Sequence, residues 1–290
     1  CLFASNQAYT TSQPESVLAK VDWLSADVGI NRGRWRGSLE ARHMMTKGLP
    51  FDLMAWDHVI DFSAITESCH PSQPKSAVHL MQEASFALAA GGRFFLWTNP
   101  RLDTSLREHE HKVIAQVSGF VRRRKRLVLG TEAVRDTAIL YSETDFYRTG
   151  LRTTNSACFA CGEGGASVIG AHYALTGAGH HTEIVNEETL MRNVGDYRVV
   201  VVPEPTVLSA NVVAALREYV KSGGNLLVTG YPVEERDPKK NLILQDVLGV
   251  RDTGKRTGGF IRVRGRGFQI LCEGVNVRLS GARVVSYLMK

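Results

Sequence analysis

Short apolar runs alternate with longer amphipathic stretches along most of the chain. Val21–Asp27 (VDWLSAD) and Phe51–Trp56 (FDLMAW) each have the length and content of a strand. Ala77, Leu80, Met81, Ala84 and Leu88 then recur at helical spacing, behind Pro74, which suits a first helical turn, and ahead of the stop at Gly91–Gly92. RFFLWT, residues 93–98, is a compact apolar strand. Leu106, Val113, Ile114, Val117 and Phe120 predict a second helix, from Leu106 to about Arg124. Strand, helix, strand, helix in this order implies parallel strands joined by right-handed crossovers.

A second set follows. Thr137–Ser142, Thr182–Val185, Arg198–Pro203 and Asn225–Thr229 read as strands, and Arg198–Pro203 (RVVVVP) is apolar enough to be covered on both faces. Ser167–Thr176 reads as a helix. Ser209 is placed to cap another, whose stripe is Val212, Val213, Leu216, Tyr219 and Val220 and whose stop is Gly223–Gly224; Asn241–Leu248 is a short third. Strands alternating with helices predict an open, doubly wound sheet. Gly254–Gly267 is rich in Gly and Arg, and the tail after it alternates like antiparallel strands.

Composition narrows the class. With 290 residues and 43% apolar content there is material for about two cores. The net charge of +6 is too mild to indicate nucleic acid by itself. No run of 18 apolar residues is present, so no membrane span is expected, and no secretion signal is seen. Cys1, Cys69, Cys158, Cys161 and Cys272 are odd in number and scattered, which favours a reducing, cytoplasmic compartment over a disulfide framework. The opening CLFASNQAY reads like the interior of a longer chain, so a signal could lie upstream of Cys1.

A closed barrel of eight βα units takes roughly 250 residues. Residues 1–128 offer about three strands, so they read either as a small open sheet or as the last portion of such a barrel. Polar and aromatic residues sit at the strand ends: Asp27, then Trp56, Asp57 and His58, then Trp97 and Asn99. That carboxyl edge is where parallel α/β folds bind ligands.

Two quoted segments carry a resemblance. SADVGINRGRWRGSLEARHMMTKGLPFDLMAWDH and KSAVHLMQEASFALAAGGRFFLWTNPR resemble the end of the barrel in alpha-L-fucosidase-like hypothetical glycosyl hydrolases. TEAVRDTAILYSETDFY, RVVVVPEPTVLSANVVAALREYVKSGGNLLVTG and the GARVV tail resemble the beta-galactosidase trimerisation domain, a relative of class I glutamine amidotransferase folds. The resemblance implies an incomplete (β/α) barrel over 1–128, a flavodoxin- or amidotransferase-like doubly wound α/β domain over 129–253, and the start of a β-rich segment over 254–290. It implies a piece of a glycoside hydrolase that cleaves a terminal glycosidic bond without metal or organic cofactor. The second domain would assemble copies of the chain into a homo-oligomer. The piece alone is expected to be inactive. The other class left open is a non-catalytic oligomerisation or carbohydrate-binding module.

Glycoside hydrolysis needs two carboxyl groups flanking the bond, aromatic faces for the sugar ring and polar groups for its hydroxyls. Glu40 is the candidate catalytic carboxylate; its structural alternative is a Glu–Arg pair supporting a loop. Asp27, Arg42, Trp56, Asp57, His58 and Trp97 are candidate substrate-binding residues. Asp52, inside a strand, reads as a structural hydrogen-bonding residue. No nucleophile can be assigned. Cys158 and Cys161 lack the partners of a zinc site and read as incidental thiols. Arg122–Arg126 reads as the cationic end of a helix, not a nucleic-acid patch. Gly162–Gly165 lacks the Lys and Ser/Thr of a phosphate loop. The strand ends VVVVPEP and LLVTGYP carry no Cys, so amidotransferase chemistry is not expected.

Overall fold

The computed structural model describes residues 1–7, 13–28, 33–60, 72–98, 100–131, 133–149, 165–204, 207–235, 237, 241–263, 266–283 and 288–289. Cys69, Asn99, Cys158, Cys161 and residues 162–164 lie outside them.

The first α/β unit runs β1 (Ala4–Asn6), β2 (Trp23–Asp27), α1 (Gly33–Met44), β3 (Phe51–Trp56), a small ladder of β4 (His58–Ile60) with β5 (Ser72–Pro74), α2 (Ala77–Ala89), β6 (Arg93–Trp97) and α3 (Glu108–Val128). Its parallel sheet has the order β1-β2-β3-β6, so each crossover leads to the next strand in line. Alternation sorts the side chains. Leu24, Ala26, Phe51, Leu53 and Ala55 are buried against Ala41 and Met44 of α1, Leu80 and Ala87 of α2 and Val117 of α3. The opposite face, with Asp52, Met54, Trp56, Arg93, Phe95 and Trp97, has no helix layer in that core, and Phe95 is 48% exposed.

Local signals explain most boundaries. Ser76, not Pro74, caps α2: its Oγ accepts from His79 N at 3.2 Å, while Pro74 pairs with His58. The expected proline start is therefore corrected to a serine cap two residues on. Gly91 closes α2 at φ +77, and a Cβ on Gly92 would come within 2.4 Å of the Phe51 ring, so only glycine fits the turn into β6.

The second unit contains β7 (Thr137–Leu140), α4 (Glu143–Thr149), α5 (Ala166–Gly177), β8 (Thr182–Val185), α6 (Glu187–Asn193), β9 (Val199–Val202), β10 (Val207–Leu208), α7 (Ala210–Lys221), β11 (Asn225–Val228), β12 (Val233–Glu234) and α8 (Gln245–Leu248). The order β11-β9-β7-β8 is parallel throughout. Ala138, Leu140, Val200 and Val202 pack with α7, whereas Ile139, Ile184 and Val201 pack with Val168 of α5, so both faces are covered. The helix expected over 241–248 shrinks to α8, because Leu242 bridges to Val233 instead. The Gly/Arg-rich stretch falls within strands: β13 (Val250–Val263) and β14 (Arg266–Leu279) form a long hairpin with two register shifts, and β15 (Leu288–Met289) pairs with β13. No helix among the described residues is long and apolar enough to cross a membrane.

The two units share α1. Arg36, Ser38, Leu39, Glu40, Ala41, His43 and Met44 are all buried. Ala41 and Met44 belong to the first core, and Leu39 to the second, with Ile139, Tyr141 and Ile184. Polar contacts reinforce the seam. His172 Nε2 lies 3.1 Å from Ser38 Oγ, and its Nδ1 lies 3.0 Å from Thr182 Oγ1. Thr46 Oγ1 donates to Ile184 O at 2.8 Å, Arg42 donates to His181 Nε2, and Asn186 Nδ2 donates to Ser16 Oγ at 2.9 Å.

Burial, then the nearby Arg42 charge, pushes His172 from the ordinary 6.5 down to about 4. Between these values the unfolded chain takes up a proton that the folded chain refuses, so this contribution to stability is lost as pH falls from 6.5 toward 4. Asp27 and Glu143, held protonated by burial, act in the opposite sense. The comparison that isolates the histidine is wild type against His172→Gln in urea unfolding. The stability advantage of wild type should shrink steadily from pH 7 to about pH 4; an advantage independent of pH would contradict the buried neutral imidazole.

Candidate active site

The carboxyl ends of β2, β3 and β6 lie side by side because the register pairs Asp27 with Met54 and Trp56 with Trp97. The Trp56 and Trp97 rings sit 4.4 Å apart at 39°, with the His58 ring 5.4 Å and 5.6 Å from them. Asp57 N donates to Trp97 O at 2.9 Å, tying the two strand ends together. Asp57 Oδ1 lies 2.5 Å from His58 Nδ1. His58 is held from below by its pairing with Pro74, and Lys75 N donates to Asp57 O at 2.7 Å. Lys75 Nζ is in turn anchored to Glu83 Oε1 of α2 at 2.9 Å, both side chains being 1% exposed. This buried pair was not singled out in the sequence, where Lys75 and Glu83 stand eight residues apart with no pattern linking them.

Asp27 ends the adjacent strand β2, in register with Met54. Burial first, then the charges of Glu40 and Asp52, lifts its carboxyl from 3.8 to about 6. Asp52 itself accepts from Ser25 Oγ at 2.6 Å, the structural hydrogen bond expected of it. Glu40 is fully buried in α1 and ion-paired at 2.5 Å with Arg36, four residues earlier on the same helix. It lies behind Asp27 as a source of negative charge and does not line an open surface. Arg42 faces the seam, where it meets His181 and the field of Glu183, and is not at the strand ends. Of the seven sequence candidates, the fold gathers Trp56, Asp57, His58 and Trp97, places Asp27 at the end of the adjacent strand with the charge of Glu40 near it, and sends Arg42 elsewhere.

The carboxyl edge of the second sheet is filled by its own side chains. Glu187 accepts from Ser142 Oγ, Thr144 N and Oγ1, and from Ser209 Oγ at 2.8 Å. No His, Cys, Asp and Glu side chains among the described residues group as metal ligands.

Residues 135–253 match the family of the beta-galactosidase trimerisation domain. No curated protein matches the chain. Among solved structures, a catalytic mutant of Gan42B, a GH42 beta-galactosidase from G. stearothermophilus, superposes with a TM-score of 0.67 at 13% identity over 92% of this chain and 42% of that one. Alpha-L-fucosidase isoenzyme 2 from Paenibacillus thiaminolyticus gives 0.67 at 16% identity over 87% and 37%. The exo-beta-1,4-mannosidase Op5Man5 from Opitutaceae bacterium strain TAV5 gives 0.59 at 13% over 92% and 51%. At these identities the likeness is one of fold. The chain spans about two fifths of the first two structures.

Carboxyl-carbon NMR titration of the chain should place Asp27 near 6. Glu40→Gln should lower that midpoint, and Asp52→Asn should lower it by less, because each removes a like charge. A midpoint near the ordinary 3.8 in wild type would contradict the placement of these three carboxyls.

Proposed function

We propose that this chain is part of a glycoside hydrolase, and that the ends of β2, β3 and β6 form one wall of its saccharide site. The observation that carries this reading is the one-sided first sheet. Its strands follow one another in sequence order, its helices pack on one face, and acidic and aromatic side chains gather at its carboxyl edge. A sheet wound in one direction with helices outside is the geometry of an arc of a βα barrel, whose active site lies at that edge. On this reading residues 1–128 are the barrel arc, 129–253 a flavodoxin-like α/β module and 254–290 the start of a β-rich segment.

The chemistry fits the arrangement. A carboxyl that keeps its proton to about pH 6 can deliver it to a leaving oxygen, so Asp27 takes the general-acid role. Trp56 and Trp97 offer faces to a sugar ring, and Asp57 and His58 offer hydrogen bonds to its hydroxyls. Glu40, first read as the reacting carboxylate, acts here by raising Asp27. The solved structures that share the fold are named as a beta-galactosidase, an alpha-L-fucosidase and an exo-beta-1,4-mannosidase, and the sequence resemblance favours an alpha-L-fucoside. The match of 135–253 to a trimerisation domain supports assembly of copies of this chain through the second module.

Burial of Glu40 favours a second reading for the 290-residue chain by itself: it binds sugar without turning it over. The chain should release no nitrophenol from aryl α-L-fucoside or aryl β-D-galactoside. L-Fucose or D-galactose should nonetheless shift the amide resonances of Asp27, Trp56, Asp57 and Trp97, and Trp97→Ala should weaken that response about tenfold, the loss of one stacking face worth about 1.4 kcal/mol. Absence of any shift at these strand ends with either sugar, or turnover that survives Asp27→Asn, would overturn the reading.

A further inference from the structure

On the side of the molecule away from those strand ends, the two α/β units leave a crevice of about 690 Å3. Thr46 and Gly48, which precede β3, form one bank. Thr189, Asn193 and Asp196 of the second unit form the other, and Arg135 of the connecting segment closes it. The volume falls in the range of small-molecule sites.

Its charges are already matched. Arg135 pairs with Asp196, and Arg192 with Glu188 at 2.6 Å. An anion would have to displace a carboxylate from an arginine, and a cation would meet Arg135 and the field of Arg42. Glu183 also lines the crevice and is 3% exposed. Its Oε2 accepts from Tyr197 Oη at 2.6 Å, while its Oε1 has no hydrogen-bond partner among the described residues. A buried carboxylate oxygen left in that state costs about 1–3 kcal/mol or more, so a donor reaching it gains binding energy. Thr189 adds a hydroxyl and Asn193 an amide, which can donate and accept, while the hydroxyls of Thr46 and Thr131 on the same lining already donate to backbone carbonyls.

We propose that this crevice is a second ligand site, for a neutral polyhydroxylated molecule of the size of a mono- or disaccharide, whose hydroxyls donate to Glu183 and exchange hydrogen bonds with Asn193 and Thr189. It is separate from the strand-end site and does not depend on the reading of that site. Because its banks belong to different units, an occupant clamps the seam and stabilises the folded chain by mass action.

Thermal unfolding of the full chain against rising D-galactose tests this. Sugars also stabilise proteins by exclusion from the surface, but that rise is proportional to concentration and does not depend on one side chain. The crevice predicts for wild type an added rise in Tm that grows as the logarithm of sugar concentration once the site fills, with an apparent affinity about tenfold weaker in Asn193→Ala and in Glu183→Gln. Trp97→Ala weakens only the other site, so Asn193→Ala should still reduce the rise in a Trp97→Ala background. If Glu183→Gln does not fold, Asn193→Ala decides. A rise simply proportional to concentration and the same in wild type and Asn193→Ala would overturn the proposal, and so would a logarithmic part abolished by Trp97→Ala alone.

Discussion

The structure depends on a polar helix that is buried along most of its length, from Arg36 to Met44 with Arg42 half-buried. α1 has the sequence GRWRGSLEARHM, and neither of its two neighbouring cores is closed without it. Burying such a helix requires that each polar group find a partner. Arg36 and Glu40 neutralise one another, Ser38 meets His172, and Arg42 meets His181. His43 meets burial by staying neutral, well below its ordinary pKa, because desolvation penalises its charge. Leu39, Ala41 and Met44 supply the apolar contacts in two opposite directions. The two units are therefore joined through a common wall and not across a loose linker.

This wall also ties the second unit to the strand ends. Glu40 sits one residue beyond Leu39, which anchors α1 in the second core, and its charge helps keep Asp27 protonated. A shift of α1 against the second sheet would move Glu40 relative to Asp27. The α/β unit that matches an assembly domain is thus in mechanical contact with the carboxyl proposed to handle the proton. The short 3-10 turn that follows α1 forms one flank of the inter-unit crevice through Thr46, whose hydroxyl is fixed on Ile184 O.

The parts of the fold with simple periodicity were legible in the sequence. FDLMAW, RFFLW, TEIV and RVVVV are strands within a residue or two of their expected spans, because strands buried on one or both faces must be apolar in that pattern. The stripe Val212, Val213, Leu216 and Tyr219 is buried as its spacing requires. α1 was not legible, since two glycines, three arginines and no apolar stripe conceal a helix whose burial is satisfied by pairing. The short α4 and α6 were missed for want of length. The strand-end cluster could be read because parallel strands bring their carboxyl ends together, so Trp56, Asp57, His58 and Trp97 meet and Asp27 ends the next strand. Glu40 and Arg42 could not be placed, because on an unrecognised helix two residues of separation turn side chains to different faces. Arg42 accordingly reaches the seam while Glu40 stays behind Asp27.

The sharing of α1 by two cores is tested most directly by following equilibrium urea unfolding with probes in both units, in wild type and in Leu39→Ala. Leu39 is fully buried among side chains of the second core while lying on a helix of the first. The account predicts one transition, coincident for amides of β3 and β9, that moves to lower urea by the equivalent of about 2–5 kcal/mol in the variant and stays coincident. Two separate transitions in wild type, or loss of stability confined to one unit in Leu39→Ala, would contradict it.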